Sequence, residues 1–204
     1  MLHRIALAFF VVSIGTFVDG KARKEEGDPG KFQRVSHVAT NVETQVSTID
    51  GRNVYECSVS GSWSIPTVGE VTVSFYCGGS CNPIYAIEVP VLTLTHTARS
   101  DITIALEKDG KKVLIKERGV DNGLDYACDI FYMEAYIDDL GTGGYLDEKC
   151  GTVSSPPSYS PRGHLSEGFR GVLGCGLWTF NVTDYVNNDS GIITAVGIRL
   201  ATES

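Results

Sequence analysis

From residue 42 onward the chain is dominated by a period of two. Segments 42–49 (VETQVSTI), 70–76 (EVTVSFY), 91–97 (VLTLTHT), 101–106 (DITIAL), 111–116 (KKVLIK), 177–184 (LWTFNVTD) and 192–200 (IITAVGIRL) alternate or run apolar, and are rich in Val, Ile, Thr and aromatics. This is the signature of half-buried strands. Turn-forming residues separate them: DGRN at 50–53, GSWSIPTVG at 61–69, GGSCNP at 78–83, KDGK at 108–111, GTGG at 141–144 and SSPPSYSPRG at 154–163. Asp109–Gly110 supplies the positive φ of a tight hairpin. No window carries a sustained helical stripe; the most helix-like piece, DIFYMEAYIDDL at 129–140, also reads as a strand. Many short strands with Gly/Pro punctuation predict an all-β fold, a β-sandwich or jelly roll, in a single domain.

The N-terminus departs from this pattern. Arg4 precedes an apolar run from Ile5 to Ile14, too short to span a bilayer, and Val18 and Gly20 suit positions −3 and −1 of a signal-peptidase site. Residues 1–20 are therefore expected to be a signal peptide, 21–50 a flexible or partly ordered segment, and 51–204 the sandwich domain. The expected location is extracellular, with no membrane span. Export makes the six cysteines a disulfide framework. Of the fifteen possible pairings, the expected one joins Cys77 to Cys81 across the short GGS loop and Cys128 to Cys150 around the acidic region, which leaves Cys57 with Cys175.

Charge excludes one class of partner. The chain has 17 basic and 25 acidic residues and a net charge of −8. Removing the leader takes one of each sign (Arg4, Asp19), so the balance holds. An acidic chain without a basic stripe repels nucleic acid and anionic membrane.

Candidate chemistry is sparse. Hydrolysis by a serine nucleophile needs a base beside it. The histidines outside the leader are His37, His96 and His164; GHLSEG at 163–168 only loosely imitates a nucleophile elbow around Ser166. Glu134, Asp138 and Asp139 are carboxylates whose spacing the sequence does not define. Asp121, Asp125 and Asp129 recur near glycine and are candidate calcium ligands, although the spacing is not that of an EF-hand. No other cofactor is indicated. Sequons at Asn181 (NVT) and Asn188 (NDS) are candidate glycosylation sites; alternation puts Asn181 opposite Trp178, Phe180 and Val182, on a solvent face.

Residues 92–115, LTLTHTARSDITIALEKDGKKVLI, resemble the HT-RGDL-I-L-SP-GT---L core of the P domain (P/Homo B domain) of proprotein convertases such as kexin and furin. Four further pieces are similar and follow in the same order. SGSWSIPTVGEVTVSF resembles the IPD-G---S-I-V strand, with Thr67 in place of Asp, and DIFYMEAY resembles FDDEA. YSPRGHLSEGFRG is similar to Y-P-GPLS-F-G, and GLWTFNVTDYVNNDSGIITAVGIRL to GTWTL-V-D---GDTGTL--W-L-L, without the tryptophan of the last strand. The sequence lacks the HGT and GTS-A motifs of the subtilisin-like catalytic domain that accompanies such modules. The resemblance implies a jelly roll without chemistry of its own that stabilises a peptidase domain, so the expected partner is a protein, such as a subtilisin-like serine endopeptidase. The resemblance and the alternation together make His96 and Asp101 a structural pair bracing a hairpin corner: His96 ends a core-facing row with Leu92 and Leu94, and Asp101 accepts turn amides or binds His96. The alternative expectation is a carbohydrate-binding, lectin-like module with Tyr145, Tyr159 and Phe169 on its ligand loops.

Overall fold

The structure is a computed structural model that describes residues 31–49, 51–79, 81–119, 129–149, 152–187 and 189–203, with backbone alone at 129–131. Among the described residues, eleven strands form two sheets that face each other. In chain order they are β1 (Gln33–Ala39), β2 (Glu43–Ile49), β3 (Arg52–Ile65), β4 (Gly69–Cys77), β5 (Ile84–Ala98), β6 (Ile102–Lys108), β7 (Lys111–Lys116), β8 (Asp129–Ile137), β9 (Val153–Ser154), β10 (Gly176–Asp184) and β11 (Gly191–Thr202). A single helical turn, α1 (Leu165–Gly168), precedes β10. One sheet runs β1-β4-β10-β6-β7 and the other β2-β3-β11-β5-β8-β9. Among the ladders of the described residues, the edge pairs β1/β4 and β8/β9 are parallel and the others antiparallel. The all-β sandwich read from the alternation is the observed architecture.

Alternation makes the core. On one sheet Val71, Val73 and Phe75 of β4, Phe180 and Val182 of β10 and Ile102, Ile104 and Leu106 of β6 are buried; on the other, Val59, Leu92, Leu94, Met133, Val196 and Ile198 are. Each such side chain stabilises the fold by about 1.5–3 kcal/mol relative to exposure. Trp178 is closed over by the edge of Phe169, with ring centroids 5.1 Å apart, and its Nε1 donates to the Gly174 carbonyl at 3.0 Å. Pro90 lies inside β5, and the register against β8 slips between Val89 and Leu92, as a residue without an N–H requires.

Several local expectations change. The helix-like piece at 129–140 contributes the strand β8. The stretch at 61–69 is not wholly a turn, because β3 continues to Ile65 and pairs with β11. Strands β1 and β2 lie within the segment 21–50 that the sequence reads as flexible or partly ordered. Strand β1 completes the edge of β4 and β2 the edge of β3, giving partners to backbone groups that would otherwise be open. Gly69, at φ 153°, lets β1 approach β4 closely beside Gln33. The β6–β7 hairpin turns on Asp109 and Gly110, at φ 49° and 77°, as its sequence predicts. By contrast, the segment between β5 and β6 is not a hairpin. The chain leaves the six-stranded sheet, makes one 3-10 turn at Arg99–Asp101, and enters the five-stranded sheet.

The disulfides are Cys57–Cys77 and Cys81–Cys175, with Cα separations of 5.6 and 4.7 Å. Both correct the expected pairing. Cys77 closes β4 with its side chain inward, where it meets Cys57 of the opposite sheet. Cys81, on the outgoing loop, is left beside Cys175, which precedes β10, the partner strand of β4. Cys128 and Cys150 lie outside the described residues, as do Asn188 and residues 1–20, where the signal peptide is expected. Among the described residues no helix is long and apolar enough to cross a membrane.

Candidate functional site

The crossover after β5 holds the histidine that the sequence singles out. His96 faces inward, as its place in the row with Leu92 and Leu94 predicts, but its partner is Asp184 at the end of β10. Nε2 lies 3.1 Å from Asp184 Oδ2, and neither side chain is exposed. The other carboxylate oxygen accepts the Val186 N–H at 3.0 Å, and His96 Nδ1 faces the backbone of Ala98. Asp101 does not take the expected role. Its carboxylate accepts the Ser100 hydroxyl at 3.1 Å, and burial and the neighbouring Asp189 push its pKa up. The four residues between His96 and Asp101 carry the chain from one sheet to the other, so the two side chains serve different neighbours.

Behind this crossover lies a group of interior charges. Lys116 is buried at the end of β7, and Nζ donates to the carbonyls of Ile102 (2.8 Å) and Glu117 (2.9 Å). Burial, reinforced by Arg99, pulls its pKa down to about 7. Burial likewise pulls Arg99 down to about 10, against the opposing fields of Asp147 and Tyr159. Arg162 grips Asp147 through Nε (2.7 Å) and Nη2 (2.5 Å) and covers the ring of Tyr145. These contacts join β6, β7 and the 145–162 connection, and strand periodicity gives no hint of them.

The hydrolase candidates are occupied elsewhere. The Ser166 hydroxyl exchanges contacts with the Ile87 backbone (3.3 and 3.5 Å), and Asp139 accepts the N–H groups of Leu165 and Ser166 at 2.6 and 2.9 Å. Asp138 accepts the Leu140 N–H, and Glu134 accepts the Tyr132 hydroxyl. His37 is on the edge strand β1 and His164 precedes α1. Asp121 and Asp125 lie outside the described residues and Asp129 is described by backbone only; among the described residues no group of three or more metal-binding side chains forms. Asn181 is 5% exposed and its amide donates to Glu107 at 3.3 Å, so the face that alternation assigns to solvent is closed there by a cross-strand neighbour. Of the three loop aromatics, Phe169 and Tyr159 are buried and only Tyr145 is exposed.

One concavity lies on the outer face of the six-stranded sheet. Arg199 of β11 sits between Glu56 of β3 and Glu88 of β5, its register partners. Its guanidinium reaches Glu56 Oε2 at 2.8–2.9 Å, Glu88 Oε2 at 3.3 Å and the Tyr136 hydroxyl of β8 at 2.7 Å. Tyr136 in turn donates to Glu88. Burial and then Glu88 push the Tyr136 hydroxyl well above its ordinary pKa. Burial works against the charge of Arg199, but Glu56, Tyr136 and Glu88 outweigh it and raise its pKa. Beside this cluster, Val54, Ala86 and Ala201 form the floor of a cavity of about 290 Å3, and Arg52 lies 4.0 Å from the centre of the Tyr85 ring at its wall. Sequence reasoning missed the whole cluster. Each charged residue is an isolated outward position in its strand, and only the order β3-β11-β5-β8 sets them in one row.

The sequence matches no protein-family model, and no curated protein is similar to it. Among solved structures, the chain aligns with the serine protease of Aeromonas sobria at 13% identity and a TM-score of 0.44, over 72% of this chain and 26% of that one. The same protease in complex with its chaperone, ORF2, aligns at 13% identity and a TM-score of 0.45, over 73% of this chain and 26% of that one. This chain thus spans about a quarter of that protein's length.

Proposed function

We propose that the chain is a secreted, non-catalytic module of the P/Homo B type that binds a protein partner and acts as an accessory to a subtilisin-like serine endopeptidase. The observation that carries this reading is the placing of the motifs. The five pieces that resemble the P domain fall in order on β3–β4, β5–β7, β8, the α1 region and β10–β11, which together make up most of both sheets. Within them, the histidine of the HT-R-D motif is used as an interior tie to Asp184. Serine-type catalysis needs a nucleophile, a base in hydrogen-bond reach and oxyanion donors. Here Ser166 contacts the Ile87 backbone, and His96 contacts a carboxylate and the Ala98 backbone. Two disulfides within the described residues suit an oxidising compartment.

The test has two arms. A fluorogenic dibasic peptide incubated with the purified chain, with and without calcium, is expected to show background turnover only. The immobilised chain is expected to retain a subtilisin-type peptidase from the medium of its own source. Turnover that follows the chain through purification and is blocked by a serine-directed inhibitor overturns the non-catalytic reading, and failure to retain a peptidase overturns the accessory role.

A further inference from the structure

We infer that the outer face of the six-stranded sheet is a binding site for a neutral oligosaccharide, centred on Tyr85, Glu88, Tyr136 and Arg199. This stands apart from the peptidase reading, which places no ligand on that face. Its first support is charge. Arg52, Arg199 and Glu88 line the cavity and Glu56 adjoins it through Arg199, so the lining and its neighbouring carboxylate together balance in charge and favour neither a strong anion nor a strong cation. The second support is the hydrogen-bonding pattern. The contacts within the cluster use Oε2 of both glutamates, which leaves Oε1 of each as an acceptor beside the one N–H of Arg199, on Nη2, that these contacts do not occupy. Acceptors and donors fixed side by side complement vicinal hydroxyls, because each hydroxyl both donates and accepts. Arg199 is held by three partners, which lowers the ordering cost of binding.

The third support is shape. The small side chains of Val54, Ala86 and Ala201 leave a floor on which a flat ring can rest, and the 45%-exposed Tyr85, its ring packed against the Arg52 guanidinium, stands beside it. Tyr136 also borders a second hollow, of about 510 Å3, with Pro90 and Glu134. A third, of about 460 Å3, opens past Tyr132 among the hydroxyls of Ser64 and Thr95. Tyr132 and Tyr136 are four positions apart on β8, about 13 Å along a strand, so the face suits a chain of sugars better than a single one. A polypeptide strand is less well matched, because β3, β11 and β5 are paired on both sides and the face exposes no free backbone ladder.

Isothermal titration calorimetry of the full chain tests this, with cellohexaose, laminarihexaose, mannohexaose and maltohexaose as neutral probes and a polygalacturonate hexamer as the anionic one. Saturable binding of at least one neutral probe is expected. Tyr85→Ala and Glu88→Gln, both at partly exposed positions, should each weaken it by about tenfold, or about 1.4 kcal/mol. Tyr76→Ala, on the opposite sheet, should leave it unchanged. Circular dichroism confirms that each variant is folded. Binding of the anionic probe alone, binding of no probe, or binding that survives both cavity variants overturns the site.

Discussion

His96 and Asp184 are 88 positions apart in sequence, yet His96 Nε2 and Asp184 Oδ2 meet at 3.1 Å with both side chains sealed from solvent. The contact ties the end of β5 in one sheet to the end of β10 in the other, next to the place where the chain crosses between them. Removing the carboxylate leaves a buried ring nitrogen without its acceptor. Asp184→Ala is therefore expected to lower stability by about 3 kcal/mol, as measured by urea denaturation. An unchanged midpoint would show that the pair does not hold the crossover.

Asp101 should behave in the opposite way. Burial and Asp189 raise its folded pKa, so the folded state holds this proton more tightly than the unfolded state does. The resulting penalty is absent at pH values below its ordinary pKa of 3.8, grows as pH rises through the raised value, and is complete above it. Asp101→Asn is expected to raise the melting temperature at neutral pH and to have little effect at the acid end. A lower melting temperature at neutral pH would restore Asp101 to a bracing role.

For Lys116 the sign is that of a base with a lowered pKa. The unfolded chain keeps this proton up to about its ordinary 10.5, whereas the folded chain releases it near pH 7. Between these values the unfolded state binds more protons, and stability contributed by this group rises with pH. The melting temperature of the wild type relative to Lys116→Met should therefore climb across that window. The facing groups, Arg99, Asp147, Asp101 and Glu117, are retained in both proteins. A gap that is flat with pH would mean that the ammonium is better solvated than its burial implies.

The two disulfides should differ in weight. Cys81–Cys175 closes a loop of 94 residues and Cys57–Cys77 one of 20. Loop-closure entropy gives about 4.7 and about 3.3 kcal/mol respectively. Peptide mapping without reduction should recover these two pairs, and replacing both cysteines of the longer loop by serine should be the more damaging change. Recovery of a Cys77–Cys81 peptide would refute the arrangement at the start of β10.

Trp178 offers a graded test of the core. Trp178→Phe keeps most of the ring but loses the bond to the Gly174 carbonyl, costing about 1 kcal/mol. Trp178→Ala also opens a cavity against Phe169 and should cost about 3–5 kcal/mol. Equal losses in the two variants would argue that the ring is not close-packed.

Alternation along the chain was enough to define an all-β sandwich, to place most of its strands, and to turn His96 inward, because a strand's side-chain period is local and burial follows it directly. The β6–β7 turn was legible for the same reason: Asp109–Gly110 carries its own backbone preference. Strand order is not local. Whether β5 returns beside itself or crosses to the facing sheet depends on which distant strands are free to pair, and that choice gave His96 to Asp184 instead of Asp101. It also set Cys77 against Cys57 and Cys81 against Cys175, since bond formation follows distance in space and not spacing in sequence. The same ordering carried Glu56, Arg199, Glu88 and Tyr136 into one row across four strands, where four scattered polar positions became a single cluster.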